Sequence, residues 1–238
     1  MLQKYCGSNS CMMAKFARSA DFDQKDIDAY KSCCDILYFD QGENIFEQDS
    51  KSDGIYCLQS GNVMLWHMDK VGNEIGFRVA GAGEMCGHRA YFGKDNHTAT
   101  AVTLTNCVVC CHHQKYLTEL MDKYPVLYKL FLQLLARDEG PPDSLLLRNT
   151  HLPVKVRLVN LLGILRKLFA KKSPDGSLVF KLPLNRKDIS TMIAARPETV
   201  ARAIKELENS DMAFFSGRKV TVPDIDRLKE SVMAGEEN

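Results

Sequence analysis

The chain has 238 residues, of which 45% are hydrophobic and 26% are charged, and this composition excludes a disordered, collagen-like or small disulfide-stabilised protein. Its charge is uneven, because residues 151–238 carry 16 basic and 11 acidic residues while residues 1–150 carry 15 and 19. The basic end favours a polyanionic partner, with solvated lysines as the alternative. No apolar run approaches the ~18 residues of a membrane span or forms a signal-peptide core, so we expect a cytoplasmic protein that does not contact a membrane.

Nine cysteines are many for a chain expected in the cytoplasm, where thiols stay reduced. Two of them, Cys6 and Cys11, lie in residues 1–20, which we predict to be a cysteine-containing N-terminal arm. No pair of C-x2-C motifs is present, so the spacing does not by itself indicate a zinc site. Metal binding, redox sensing and plain burial are the interpretations that stay open for these thiols.

Short runs rich in β-branched and aromatic residues, separated by glycines at intervals of about ten residues, occupy residues 36–113. They are the segments ILYF, GIYCLQSG, NVMLWHM, EIGFRVAG and TATAVTLTNCVVCC. This pattern is typical of an antiparallel sandwich or barrel. We therefore predict a β-domain over residues 21–121.

After Asp122 the apolar period changes to that of a helix. Apolar residues recur at i, i+3, i+4, i+7 and i+8 in a stripe formed by Leu127, Leu130, Phe131, Leu134 and Leu135. We predict that residues 122–150 contain a helix reaching about Ala136, with this stripe as a dimer interface, followed by a hinge. The hinge falls at Gly140-Pro141-Pro142, because proline inside a helix removes a hydrogen bond and clashes with the preceding turn.

Residues 151–238 contain a second leucine stripe, a Ser-Pro-Asp-Gly turn and then the segment LNRKDISTMIAARPETVARAIKELENSDM. That segment predicts two short helices joined by Ala194-Ala195-Arg196, with Pro197 at the favoured first position of the second helix. Apolar residues of the second helix fall on one face, namely Val200, Ile204 and Leu207. The opposite face then carries Glu198, Ala201, Arg202 and Lys205.

Two helices in this arrangement are typical of a helix-turn-helix, whose second helix enters the major groove of DNA. Arginine can pair bidentately with guanine and glutamate can accept from cytosine, so Glu198 and Arg202 are predicted to contact bases. The segment FFSGRKVTV, residues 214–222, predicts a hairpin with a basic tip, the wing of a winged helix-turn-helix. The residues predicted to contact the DNA backbone are Arg196, Thr199, Lys205, Arg218 and Lys219. An ion pair on a solvated helix is the alternative for Glu198 and Arg202.

The glycine-punctuated β-domain, the apolar helix and the segment from Leu184 to Met212 with its wing resemble the cyclic AMP receptor protein and FNR family of bacterial transcription regulators. The most specific part is the E-T-V-A-R pattern of residues 198–202. The resemblance implies an α+β fold with an N-terminal antiparallel β-roll, a cyclic-nucleotide-binding-like jelly roll, then a long dimerisation helix and a C-terminal winged helix-turn-helix. It also implies a homodimer, a two-fold symmetric double-stranded DNA site with TGA-type half-sites, and RNA polymerase as a partner.

The stretch GHRAYFGKDNHTA departs from the cyclic AMP binders of that family. Their nucleotide pocket uses a glutamate and an Arg-Ser pair, where this chain has His88, His97 and Thr98. A neutral histidine cannot supply the fixed charge that arginine gives a phosphate, which argues against cyclic AMP. Gly87, His88, Arg89, His97 and Thr98 form the candidate effector pocket, with a solvated loop arginine as the alternative for Arg89.

The oxygen-sensing FNR members hold a [4Fe–4S] cluster on cysteines, and four thiolates suffice for one. The candidate metal or redox residues here are Cys6, Cys11, Cys86, Cys107, Cys110 and Cys111. Only two of them are N-terminal, and their spacing differs from the FNR pattern, so a matching site would have to recruit Cys33, Cys34 or a cysteine of the roll. An iron–sulfur cluster or thiol switch, haem on a histidine, a small-molecule effector and plain packing stay open, and the cofactor is unknown at this stage.

No nucleophile motif, phosphate-binding glycine loop or H-E-x-x-H motif is present, so we do not expect an enzyme. The sequence predicts a DNA-binding transcription regulator controlled by a redox, gas or small-molecule signal in the β-roll. A cyclic-nucleotide-binding-type regulatory subunit is one alternative, but it does not explain Glu198, Arg202 and the basic wing. An iron- or haem-handling sensor protein is the other, and it would keep its metal site without the C-terminal domain and show no affinity for DNA.

Overall fold

A computed structural model describes residues 34–93, 95–138, 152–174 and 176–233, together with Lys25. The chain divides into two compact units, one of residues 1–73 and 78–140 and the other of residues 74–77 and 141–238. The predicted arm at residues 1–20 and the predicted hinge at Gly140-Pro141-Pro142 lie outside the described residues. No helix in the described ranges is both long enough and apolar enough to cross a membrane.

The strands between Cys34 and His113, of which Glu74–Ala80 includes residues of both units, form two antiparallel sheets, as the sequence predicted. In the described ranges they are β1 (Cys34–Phe39), β2 (Asn44–Phe46), β3 (Gly54–Ser60), β4 (Val63–Met68), β5 (Glu74–Ala80), β6 (Met85–Cys86), β7 (Thr100–Thr103) and β8 (Cys107–His113). One sheet has the order β1-β8-β3-β6 and the other β2-β7-β4-β5. The predicted strand TATAVTLTNCVVCC is two strands in different sheets, because a turn at residues 104–106 interrupts it.

Strands β3 and β8 are so close at one end that only glycine fits at the start of β3. A Cβ atom on Gly54 would lie 2.2 Å from the carbonyl oxygen of His112, far inside van der Waals contact. The register pairs Gly54 with His113 and Cys57 with Cys110. This pairing places several cysteines of the unit on neighbouring strands, with their side chains alternating between the two faces.

The helices of the first unit in its described part are α1 (His88–Gly93), α2 (Gln114–Lys123) and α3 (Val126–Asp138). The sequence did not predict α1 or α2, and the helix predicted from Asp122 begins four residues later. Pro125 explains the later start, because proline disfavours the helical conformation at the residue before it. That residue, Tyr124, has the non-helical angles φ −125° and ψ 82°. Asp122 therefore belongs to the last turn of α2, and α3 is the predicted dimerisation helix.

One apolar cluster joins α1, α2 and α3 to the sheet that contains β3 and β8. Its buried members are Ile55, Cys57, Met85, Tyr91, Cys110, Leu117, Leu120, Met121, Leu127 and Phe131. Burial of a large apolar side chain contributes about 1.5–3 kcal/mol, so this cluster is a major part of the unit's stability.

The second unit combines a smaller sheet with helices. Its described elements are α4 (Val154–Phe169), β9 (Lys171–Lys172), β10 (Leu178–Lys181), α5 (Arg186–Met192), α6 (Pro197–Asn209), β11 (Phe214–Ser216), β12 (Lys219–Val222) and α7 (Ile225–Met233). The sheet order is β11-β12-β10-β9. Helix α4 buries four leucines of the predicted stripe, Leu158, Leu161, Leu162 and Leu165.

A histidine in the first unit's core makes stability depend on pH. Burial lowers the pKa of His112 from its ordinary value of 6.5 to about 4, and the neighbouring His113 contributes to the same shift. The unfolded chain therefore binds a proton below pH 6.5 that the folded chain does not accept until about pH 4. Above pH 6.5 the protonation of His112 does not reduce the free energy of unfolding. As the pH falls from 6.5 towards 4, it reduces that free energy progressively.

We predict that His112→Gln reduces the loss of unfolding free energy between pH 7 and pH 5 by about 2 kcal/mol, because glutamine cannot take up the proton. Urea unfolding of both proteins at the two pH values measures this difference. The control is His67→Gln, at the half-buried His67 of β4. Equal effects of the two substitutions would contradict the prediction.

Candidate nucleic-acid interface and sensor site

A capping box fixes the start of α5. The side-chain oxygen of Asn185 accepts a hydrogen bond from the Asp188 backbone N–H at 3.0 Å, and the Asp188 carboxylate accepts one from the Asn185 backbone N–H at 2.7 Å. Both donors would otherwise lack a partner in the first turn of the helix. The Asn-x-x-Asp signal of this capping box is visible in the sequence as LNRKD.

A short turn links α5 to α6. Ala194 takes a left-handed conformation with φ +47°, and Arg196 is the residue that precedes the first turn of α6. Pro197 occupies that first turn, as the sequence predicted. The two helices and this turn form the predicted helix-turn-helix.

Helix α6 is amphipathic in the predicted sense. Its buried residues are Val200, Ala203, Ile204 and Leu207. The exposed residues on the other side are Glu198, Ala201, Arg202 and Lys205, while Thr199 is half-buried. The structure therefore brings the predicted base-contacting residues together on one solvent-facing surface, which we call the reading face.

Strands β11 and β12 form the predicted wing. Ser216 pairs with Lys219, and between them Gly217 has φ +61° and Arg218 is exposed. Lys219 is exposed as well, so the hairpin tip presents two positive charges to solvent. Glu208 near the end of α6 accepts a hydrogen bond from the Phe215 backbone N–H at 3.1 Å, which attaches the wing to α6.

The candidate effector residues of the roll are only partly brought together. The ring of His97 stacks on Phe46 with 3.9 Å between centroids, and a Cβ atom on Gly87 would lie 3.3 Å from this ring. His97 is 2% exposed, and its Nε2 atom has no hydrogen-bond partner among the described residues. Thr98 is exposed, and its carbonyl oxygen lies 2.9 Å from Nδ1 of His67.

The two histidines in this region are uncharged at neutral pH. Burial lowers the pKa of His97, and burial together with the charges of Arg78 and Arg89 lowers the pKa of His88 to about 4. Arg89 was expected in a loop, but it lies in the short helix α1 with its side chain exposed. The charge available at this site therefore comes from arginines around the histidines.

Four of the candidate redox cysteines are buried strand residues. Cys86 ends β6, and Cys107, Cys110 and Cys111 lie in β8. Cys6 and Cys11 lie outside the described residues. Within the described part of the chain, no group of three or more His, Cys, Asp or Glu side chains is arranged to hold a metal ion.

Cys110 differs from Cys107 and Cys111 in the direction of its pKa shift. The Gln59 amide and the Cys34 thiol both hydrogen-bond to it, and these bonds lower the pKa of Cys110 to about 7. Burial instead raises the pKa of Cys107 and brings that of Cys111 to about 12. The sequence names Cys34 only as a thiol that a cluster would have to recruit, and it is the pairing of β1 with β8 that places it beside Cys110.

The predicted dimer residues of α3 lie in different places. Leu127 and Phe131 are each 2% exposed and belong to the apolar cluster of their own unit, so they are already covered within one chain. Leu135 is half-buried, and the side chains of Leu130 and Leu134 lie outside the described part. The exposed apolar residues of α3 include Tyr128 at 41% and Leu132 at 65%.

Two family profiles match the chain. Residues 36–124 match the cyclic nucleotide-binding domain, and residues 156–231 match the Crp-like helix-turn-helix domain. The two matches fall on the β-roll with its first helices and on the domain that carries the reading face and the wing.

Curated relatives and solved structures agree with these profiles. The chain is 23% identical over 192 residues to the fumarate and nitrate reduction regulatory protein of Vibrio cholerae, covering 80% of this chain and 75% of that one. It is 23% identical over 198 residues to the cAMP-activated global transcriptional regulator CRP of Haemophilus influenzae, covering 82% and 87%. A CRP-family transcriptional regulator of Thermus thermophilus has a similar fold with a TM-score of 0.70 at 19% identity, covering 83% and 96%. FixK2 of Bradyrhizobium japonicum gives 0.70 at 17% identity, with the same coverage.

Proposed function

Because the chain belongs to the Crp and FNR family of DNA-binding transcription regulators, we propose that it is a homodimer that reads a two-fold symmetric DNA site. The observation that carries this proposal is the reading face of α6 beside a basic wing. Charged side chains occupy that face while the opposite side of the helix is buried. A helix held in this way can enter the major groove with its N-terminal residues first.

Each predicted contact has a chemical role. The forked guanidinium of Arg202 suits O6 and N7 of guanine, and the Glu198 carboxylate suits the amino group of cytosine in the same or the adjacent pair. The residues proposed to contact phosphates are exposed or half-exposed around the reading face, namely Lys205, Arg218, Lys219, Arg196 and Thr199. TGA-type half-sites and contact with RNA polymerase complete the proposal by analogy with the family.

The proposal for the sensor is a redox, gas or small-molecule signal. A cyclic nucleotide is disfavoured because His97, which stands where the family places its phosphate-binding arginine, is neutral and stacked on Phe46. The described cysteines do not by themselves form an iron–sulfur ligand set. A cluster would need Cys6 and Cys11 with thiols of the roll, whereas a thiol switch needs only groups such as Cys110 with its depressed pKa.

The experiment that tests the proposed function is selection of binding sites from random duplexes, followed by the same selection on Arg202→Ala. We predict that Arg202→Ala costs about 1–3 kcal/mol per half-site and relaxes one base-pair position, because the guanine donor is lost. Non-specific affinity should stay nearly unchanged. Selected sequences identical to those of the wild type at every position would show that the E-T-V-A-R face does not read bases.

Lys205→Ala is the matched control on the same helix. It removes one positive charge that is proposed to meet a phosphate, so it should weaken binding to all sequences about equally. The slope of affinity against salt should become shallower by about one unit. A change in base preference for Lys205→Ala would contradict the division between base and phosphate contacts.

We predict that the exposed side of α3 pairs with α3 of the second subunit, and that Leu132→Glu therefore converts the dimer to a monomer. A buried unpaired carboxylate is strongly unfavourable at an apolar interface. Gln133→Glu, at the exposed neighbouring position, adds the same charge and should leave the dimer intact. Light scattering at micromolar concentration measures both, and a monomeric wild type with and without DNA would rule out this interface.

For the sensor we predict that Cys6→Ser with Cys11→Ser, or Cys110→Ser with Cys111→Ser, changes how DNA affinity responds to oxygen, nitric oxide or oxidant. Thiolates bind metal and react, whereas protonated thiols that only pack do neither. Cys107→Ser is the control, because burial raises the pKa of that thiol. If oxidants do not change the DNA affinity of the wild type or of any variant, the effector pocket is left as the sensor.

An absorption spectrum and iron and sulfide analysis of anaerobically purified protein distinguish the sensor chemistries directly. A cluster, a haem and a metal-free protein give three different results.

A further inference from the structure

Arg157 hydrogen-bonds to backbone carbonyls from two separate segments of the second unit. Its Nε–H donates to the carbonyl oxygen of Leu152 at 2.7 Å, just before α4 begins. Its Nη1 donates to the carbonyl oxygens of Ile193 at 3.1 Å and Ala194 at 3.2 Å. Arg157 therefore ties the beginning of α4 to the turn between α5 and α6.

That turn depends on outside support. Ala194 has φ +47°, a left-handed conformation that residues with a Cβ atom rarely adopt and that costs about 1–3 kcal/mol. Within the turn, the Ala195 N–H donates to the carbonyl oxygen of Ser190 at 3.0 Å. The last carbonyls of a helix have no partner inside the helix, so Arg157 satisfies groups that would otherwise need water.

The chemistry of arginine suits this position. Its guanidinium is a rigid planar fork with five N–H donors, so one side chain can reach carbonyls in two directions at once. Lysine keeps the charge but offers only a single ammonium group on a flexible stem. Arg157 is half-buried, which limits competition from water for these bonds.

We propose that Arg157 is a positioning residue for base recognition, which holds the turn so that α6 presents Glu198 and Arg202 in register with the base edges. This inference rests on the proposed function. Arg157 acts through the backbone of Ile193 and Ala194, and Glu198 follows Ala194 by only four residues. A small change in the turn therefore shifts the N-terminal residues of α6, which are those that approach the bases.

Specific and non-specific binding respond differently to such a shift. Bidentate base contacts need the side chains within about 0.5 Å of the productive geometry. Phosphate contacts come from long flexible side chains and carry no sequence information, so they tolerate a displaced helix. Loss of the Arg157 bonds should lower specific affinity and leave non-specific affinity almost unchanged.

The test uses the full-length dimer with the selected duplex and a scrambled duplex of equal length, measured by fluorescence anisotropy. Arg157→Met should lower the ratio of specific to non-specific affinity by about tenfold or more, since two half-sites are affected. Arg157→Lys should give an intermediate ratio. Lys155→Met, which removes the same charge two residues earlier on α4, should keep the wild-type ratio.

The ratio separates positioning from a merely structural role. A variant that is partly unfolded loses active protein, which lowers both apparent affinities by the same factor and leaves the ratio unchanged. A wild-type ratio for Arg157→Met would therefore overturn the proposal. If Arg157→Met does not fold, Arg157→Lys is measured in the same way, and a wild-type ratio for it overturns the proposal as well.

A double-mutant cycle with Arg202→Ala tests whether Arg157 acts through the reading face. If it does, the loss of specific affinity in the double variant is smaller than the product of the two single losses, because Arg202 has no contact left to lose. A double loss equal to that product would contradict the proposal.

Amide hydrogen exchange at Ala195 provides a second test, which needs no DNA. Faster exchange in Arg157→Met than in Lys155→Met supports the role of Arg157 in the turn, and equal exchange contradicts it. A wild type that selects no sequence would instead reject the proposed function, so the two failures are distinguishable.

Discussion

Helices α2 and α3 cover one face of the sheet that contains β3 and β8. This layer determines which side chains of the two helices are buried and which are exposed to solvent. Leu127 and Phe131 of α3 are buried in it, so the side with Tyr128 and Leu132 is exposed, and this is the side proposed to pair with a second subunit. Cys110 lies in the same layer, beneath those helices. Because protein interiors are close-packed, a chemical change at this thiol must alter the packing of α2 or α3.

The second unit separates the task of holding the recognition helix from the task of reading DNA. Val200 and Leu207 are 1% and 0% exposed and fix α6 on its inner side, while the Asn185 capping box fixes the start of α5. The exposed residues on the reading face do not contribute to this packing. Substitution of these residues can therefore change which DNA sequence is preferred without loss of the fold, as is typical of functional sites on rigid elements.

The sequence pattern predicts correctly those elements that neighbouring residues determine. The period of α6, Pro197 at its start and the hairpin of the wing all follow from neighbouring residues, and the structure confirms them. Helix α1 has six residues, too few for a helical period to be visible. The apolar stripe of α3 indicated a buried face, but it could not indicate whether the cover is the chain's own sheet or a partner. For Leu127 and Phe131 the cover is the sheet.

Contacts between distant parts of the chain could not be predicted from the sequence for the same reason. Arg157 was only one of several charges flanking a leucine stripe, because its acceptors lie 36 and 37 residues later. Cys34 is named in the sequence as a thiol that a cluster could recruit, but only the pairing of β1 with β8 shows that its neighbour is Cys110. In both cases the sequence provides the chemical group, and only the tertiary fold provides its partner.

The proposal that the roll senses a signal other than an anionic nucleotide rests on the charge and burial of His97. A pocket that binds a phosphate needs a fixed positive charge, such as that of arginine, before the ligand arrives. Without this charge the anion loses most of its hydration energy on leaving water and gains nothing that compensates for the loss. His97 is neutral, buried and already stacked on Phe46, so it offers neither the charge nor the space. The thiol of Cys110, in contrast, has its pKa lowered by hydrogen bonds with Cys34 and Gln59, and it packs in the layer beneath α3. A signal that acts on sulfur would thus reach the helix proposed to form the dimer through direct packing, whereas one that acts at His97 would need a further route.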